Sequence, residues 1–275
     1  MGGFSPEPSS LSKMKTRRDE PLVALGDGAP CLLGRTTIER IHSAFAECEL
    51  ATRRDAAAAV PVALFVAACG ATVDLYAHVF SPGSFIARVL GRTTTRHMAC
   101  VSAAVARFSA GGGGGAGGGA GTTSSPSLRA VLVRERDERG LEGVRWDRVS
   151  ACHTAMWLSR GLYFCQTFMD LLANGDGGDS LPSPRACAST AYNRALRPYH
   201  GLLLSTVFRA ALTYAPAERE DLFRAFGYED LSDGEARVRA CVEAMRPVTR
   251  RVHRLIVDEG LDFPEVVSPL RGALR

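Results

Sequence analysis

Lysine is nearly missing from this chain. Of its 33 basic residues only Lys13 and Lys15 are lysine, and the rest are arginine. Together with a polyglycine run, that bias reads as compositional drift, so no single arginine carries an argument alone. Metal and redox patterns are missing too. The eight cysteines form no CxxC pair, and no set of cysteines and histidines has the spacing of a zinc site. Zinc and thioredoxin-type chemistry are thereby excluded, and no metal or cofactor is expected. Most of the cysteines sit in apolar runs such as Ala67-Ala68-Cys69, where a thiol acts as a small hydrophobe, and this fits a reducing compartment. The Ser, Cys and His residues make no nucleophile elbow or triad pattern, so no enzymatic activity is expected. The first residues lack the apolar core of a signal peptide, and Pro6 stands where a myristoylation signal needs Ser or Thr. A cytosolic protein is the expectation. No segment alternates apolar and polar residues for long, which leaves an all-α fold.

The chain has 275 residues, 46% hydrophobic and 23% charged, enough for one large folded domain. A net charge of +4, from 33 bases and 29 acids, is too small to argue for nucleic acid, though it can help docking on an anionic membrane. Residues 1–34 are rich in Pro, Gly, Ser and charge and read as a flexible tail, 35–265 as a helical domain, and 266–275 as a second tail. Within the domain, residues 109–127 are almost wholly Gly, Ala, Ser and Thr; with nothing to bury, they read as a disordered insertion. Helices are predicted over 36–52, 61–79, 85–108, 128–139, 147–173, 186–214, 217–227 and 234–259. Ala56 to Val73 is 18 residues without a charge, the lower edge of a membrane span. It is mostly alanine and is interrupted by Pro61 and Gly70, so a buried helix is the expectation.

The segment 147–173 is the most informative. Leu158, Leu162, Cys165, Met169 and Leu172 form one stripe, and Trp157, Gly161, Phe164 and Phe168 a second beside it. That face is wider than a bundle seam needs. It fits a central helix buried all round, or a helix lining an apolar cavity.

Two segments carry a resemblance. The first is Trp146-Asp-Arg-Val149 followed by Ala155-Met-Trp157-Leu-Ser-Arg160-Gly-Leu162. The second is Ala191-Tyr192-Asn-Arg-Ala-Leu196-Arg-Pro-Tyr199-His200-Gly201, with Ala210-Ala-Leu-Thr-Tyr-Ala-Pro216 downstream. Both resemble the glycolipid transfer protein family, including its ceramide-1-phosphate branch, over roughly residues 36–262. The resemblance implies a two-layer all-helical sandwich with an apolar pocket for one sphingolipid. It implies non-vesicular transfer of a glycolipid or ceramide-1-phosphate between membranes by a cytosolic protein, monomeric and only transiently bound to the membrane surface. A binding sensor or scaffold that keeps the fold without transfer is the alternative. By the same resemblance, Trp157 stacks under the first sugar, His200 hydrogen-bonds the ceramide amide, and Arg160 matches a basic headgroup residue. Leu158, Leu162, Phe164, Phe168 and Leu203 are expected in the chain pocket, and Leu202–Leu204 on the docking surface.

One departure stands out. The family's amide-binding aspartate becomes Arg88 or Val89, and the polar position four residues on becomes Arg92 or Thr93. No acid occurs between Asp74 and Glu135. Arg88, Arg92 and Arg96 follow at i, i+4 and i+8 instead. Such a row suits a phosphorylated headgroup, because guanidinium forks clamp phosphate oxygens. It equally suits a solvated face. Arg88 and Arg92 are therefore candidate headgroup residues, and whether Asp74 or Glu135 folds into the carboxylate's place is left open.

Overall fold

The computed structural model describes residues 36–54, 59–80, 83–110, 126–175, 177 and 181–263. Both predicted tails and residues 111–125 of the predicted insertion lie outside the described residues.

Eleven helices run through the described residues: α1 (Thr37–Arg54), α2 (Val62–Ala71), α3 (Val73–Val79), α4 (Phe85–Ala110), α5 (Leu128–Arg139), α6 (Leu141–Trp146), α7 (Ala151–Asn174), α8 (Pro184–Ala195), α9 (Leu202–Leu212), α10 (Arg219–Phe226) and α11 (Leu231–Asp258). A 3-10 turn, Arg197–Tyr199, joins α8 to α9. Apart from one isolated bridge between Pro61 and Ser127, no β pairing occurs among the described residues.

Several boundaries differ from the sequence expectation for local reasons. The helix predicted over 61–79 breaks at Thr72, whose hydroxyl donates to the Cys69 carbonyl at 2.8 Å. The helix predicted from 147 starts at Ala151. Asp147 first accepts the Val149 N–H, and Ser150 then caps the helix by accepting the His153 N–H. The stretch predicted helical over 186–214 is interrupted after Ala195, two residues before Pro198, whose ring nitrogen has no hydrogen to donate. The insertion predicted over 109–127 has ordered edges: Ser109 and Ala110 continue α4, and Leu128 donates to the Val60 carbonyl at 2.8 Å.

Packing closes the helices into a ring. α7 lies against α4, α8 and α11; α11 lies against α1, α1 against α2, and α2 against α4. Apolar residues at helical spacing fill the enclosed core, among them Phe45 and Ile41 of α1, Phe65 of α2, Phe164 and Phe168 of α7, and Val242 and Met245 of α11. Val62–Val79 is long and apolar enough to cross a membrane. Here it is part of the core, with Phe65, Cys69, Leu75 and Tyr76 buried and Asp74 paired to Arg40 at 2.7 Å. No disulfide forms among the described cysteines. Burial pushes the Cys165 and Cys241 thiols up to about 12, so they act as hydrophobes rather than nucleophiles.

The contact between α10 and α11 depends on one glycine. A Cβ at Gly234 would overlap Cδ1 of Phe223 and lie 3.2 Å from the Tyr228 Cβ. Phe223 is itself wedged edge-on against Phe226 at 6.0 Å. Gly234→Ala is therefore expected to destabilise the protein by about 1–3 kcal/mol, as overpacking does elsewhere. A lowered urea midpoint would show it, and an unchanged midpoint would contradict this packing.

Candidate functional site

A cavity of about 510 Å³ opens between α4, α7 and α9, with α2, α3 and the 3-10 turn completing its wall. That size is within the range of ligand-binding pockets. Its apolar part is built from Ile86 and Leu90 of α4, Leu158, Leu162 and Phe164 of α7, and Phe208 of α9. Behind it stands an aromatic cluster. Phe208 stacks on Tyr192 at 4.3 Å and meets Phe80 and Phe164 edge-on at 5.5 and 6.1 Å. Tyr76 and Cys69 also reach the cavity.

Polar side chains gather at another part of the same cavity: Thr93, Arg96 and His97 of α4, Arg148 before α7, and His153, Trp157, Tyr199 and His200. Hydrogen bonds fix three of these rings. The indole N–H of Trp157 donates to Nε2 of His153 at 3.1 Å, which leaves the His153 Nδ1–H to donate to the Arg145 carbonyl at 3.1 Å. The two residues sit one turn apart on α7. Trp157 in turn lies along His200, with centroids 5.8 Å apart and planes at 29°. Nδ1 of His200 is 3.2 Å from the Tyr192 hydroxyl. That buried hydroxyl has no other acceptor among the described residues, so it donates to Nδ1 and leaves the proton of His200 on Nε2.

Burial keeps these imidazoles neutral. It lowers His153, and it lowers His97 and His200 to about 4, the charge of Arg96 adding at His97 and that of Arg160 adding at His200. The charge of the polar cluster therefore comes from Arg96 and Arg148, both exposed at the cavity. No Asp or Glu lines it. Asp74 is held by Arg40. Glu135 is buried elsewhere, accepting the Cys152 N–H at 3.0 Å and facing Arg107 and Arg139. Neither acid lines the cavity, to which α4 presents Val89 and Thr93.

The sequence-predicted residues divide. Trp157, His200, Leu158, Leu162 and Phe164 come together around the cavity. Phe168 does not line it and is buried in the core behind. The side chain of Leu203 lies outside the described residues. Arg88 and Arg92 are exposed on α4 and turn away from the cavity, while Arg96, one turn further along, reaches it. Arg160 is 6% exposed and does not line the cavity. Its guanidinium donates to Asp262 and to the Phe263 carbonyl, each at 2.8 Å, and lies 3.5 Å from the Tyr199 ring centre and 5.0 Å from that of Trp157. It ties the end of the described chain to the back of the polar cluster. Arg148, His97, His153 and Tyr199 were not picked out as site residues from the sequence. His153, four residues before Trp157, carried the one usable signal, since that spacing puts both on one face.

Comparison with known proteins matches residues 118–228 to the glycolipid transfer protein (GLTP) family. Over that stretch the chain is similar to the glycolipid transfer protein family. It is 36% identical to a zebrafish glycolipid transfer protein over 126 residues, 45% of this chain and 56% of that one. It is 34% identical to the Xenopus tropicalis protein over 111 residues, 40% and 50% respectively. The chain thus matches about half the length of these curated relatives. Solved structures extend the likeness of fold. A FAPP2 structure concerned with the selection of simple glycosphingolipids by the GLTP fold superposes with TM-score 0.64 at 22% identity, covering 84% of this chain and all of that one. Human ceramide-1-phosphate transfer protein with bound 12:0 ceramide-1-phosphate gives 0.64 at 16% identity over the same shares. The fold is the two-layer all-helical one expected of the family.

Proposed function

We propose that this protein binds one sphingolipid and moves it between membranes, with the chains in the cavity and the headgroup at its polar end. One observation carries the reading: a single cavity joins an apolar interior to a cluster of oriented hydrogen-bond groups and two arginines. Burying acyl chains supplies the driving force, about 0.8 kcal/mol for each methylene removed from water. The Nε2–H of His200 faces a lipid amide carbonyl as donor. Membrane docking is through Leu202, which is 92% exposed, and Leu204, which lies at the cavity. Docking and transfer form and break no covalent bond.

Headgroup preference follows from charge. Arg96 and Arg148 with no opposing carboxylate favour a phosphorylated sphingolipid, since charge-assisted hydrogen bonds to phosphate are about twice as strong as neutral ones. The indole of Trp157 favours a second headgroup, a sugar, whose apolar ring face suits an aromatic partner. Transfer between vesicles of ceramide-1-phosphate, glucosylceramide and a phosphoglycerolipid tests both. The phosphorylated sphingolipid should move fastest, and Arg96→Gln with Arg148→Gln should slow it about tenfold or more while leaving glucosylceramide little changed. Faster transfer of glucosylceramide, insensitive to both changes, would assign the sugar reading. A folded protein that binds lipid but transfers none would be the sensor instead.

A further inference from the structure

The acids of this chain are distributed unevenly. None occurs in residues 75–134 or in residues 180–217, the segments that supply α4 and the α8–α9 side of the cavity. The arginines in the first half of α4 are left without the ion pairs that Arg107, Arg129 and Arg134, further along the same segment, find with Glu135, Glu259 and Glu138. Arg40, Arg53, Arg129, Arg136, Arg139, Arg219 and Arg251 each meet a carboxylate. Among the described residues Arg88, Arg92 and Arg96 meet none.

Helix geometry places these groups beside the cavity opening. Val89, Thr93 and Arg96 line the cavity. At 3.6 residues per turn, Phe85, Arg92 and Arg88 lie roughly 40°, 60° and 100° round α4 from Val89, on the side away from the cavity interior. All are exposed, Phe85 to 68%. Across the opening, α9 exposes Leu202 and Leu204, and before α7 the exposed Arg148 lines the cavity, followed in sequence by the exposed Val149. Apolar side chains able to enter a bilayer are thus interleaved with uncompensated guanidinium groups and no carboxylate.

We infer that the α4 face bearing Phe85, Arg88 and Arg92 is a docking surface for membranes rich in anionic phospholipid, and that these two arginines select the leaflet rather than the cargo. The inference rests on the proposed function and names its membrane partner. Charge complementarity supplies the choice of occupant. Each arginine near an anionic leaflet strengthens binding about fivefold, an effect that fades within a Debye length of about 8 Å at physiological salt. Arg88 and Arg92, one turn apart on an exposed face, meet phosphates only when the cavity mouth is at the membrane.

Sedimentation with vesicles tests this on the full chain, using neutral phosphatidylcholine against phosphatidylcholine with one-fifth phosphatidylserine. The wild type should bind the anionic vesicles more tightly, and high salt should remove the difference. Arg88→Gln with Arg92→Gln should weaken anionic binding about 25-fold, with helicity and transfer between neutral vesicles unchanged. Arg250→Gln with Arg254→Gln, the same charge loss on exposed positions of α11, should leave anionic binding intact. Equal loss in both double variants, or no wild-type preference for anionic vesicles, would overturn the inference. Absence of transfer with the vesicle preference retained would instead remove the proposed function and leave the docking surface standing.

Discussion

Gly161→Leu should abolish lipid transfer while leaving the protein as stable as the wild type or more so. Gly161 lies in the middle of α7 and lines the cavity. A Cβ there would meet the Tyr76 hydroxyl at 3.5 Å, an ordinary contact, so the backbone has room for a side chain. Glycine in a helix interior is worse than alanine by about 0.5–1 kcal/mol, and leucine is a good helix former. The new side chain would occupy space assigned to the acyl chains. Displacing about four methylenes removes about 3 kcal/mol of burial, so uptake should fall by about 100-fold or more. Vesicle transfer and urea unfolding, measured on the same preparation, separate the two effects. Undiminished transfer would mean that the chains do not lie along this part of α7.

Arg160→Met should act the other way, through stability. The guanidinium is buried, bonded to Asp262 and the Phe263 carbonyl, and lies over the rings of Tyr199 and Trp157. Methionine keeps part of the packing volume but leaves the buried Phe263 carbonyl without its donor, while Asp262 remains partly open to water. Hydrogen bonds to a charged group are worth about 1.5–3 kcal/mol, so a loss of about 2–3 kcal/mol in unfolding free energy is expected. The fluorescence of Trp157 should shift as the cation leaves its neighbourhood, although exposed Trp146 contributes a constant background. Unchanged stability with lost transfer would return Arg160 to the headgroup role that its motif suggested.

Comparison of these two residues shows what was legible in the sequence. The wide apolar face of residues 147–173 pointed either to a helix buried all round or to one beside a cavity. Both descriptions hold for α7 at different turns, with Phe168 in the core and Leu158, Leu162 and Phe164 at the cavity. Periodicity reports that a face is apolar but not what it faces. The resemblance placed Trp157 and His200 together, and each is locked by a neighbour close in sequence, Trp157 by His153 one turn before it and His200 by Tyr192. It could not place Arg160, whose partners Asp262 and Phe263 lie about a hundred residues away and outside any motif. The three arginines of α4 were legible as a row, but a row at i, i+4 and i+8 drifts round the helix by about 40° for each step. That drift puts Arg96 at the cavity and leaves Arg88 and Arg92 on the outside. Helix breaks at Thr72 and Ser150 were missed because side-chain hydrogen bonds to backbone decided them, and apolar periodicity does not register such bonds.

Native mass spectrometry is the most direct test of the central claim, that the cavity holds one sphingolipid. The protein is mixed with vesicles containing ceramide-1-phosphate, separated from them, and weighed without denaturation. The account predicts a one-to-one adduct for the wild type that is missing from Gly161→Leu. A folded wild-type protein that carries no lipid from such vesicles, nor from vesicles containing glucosylceramide, would contradict it.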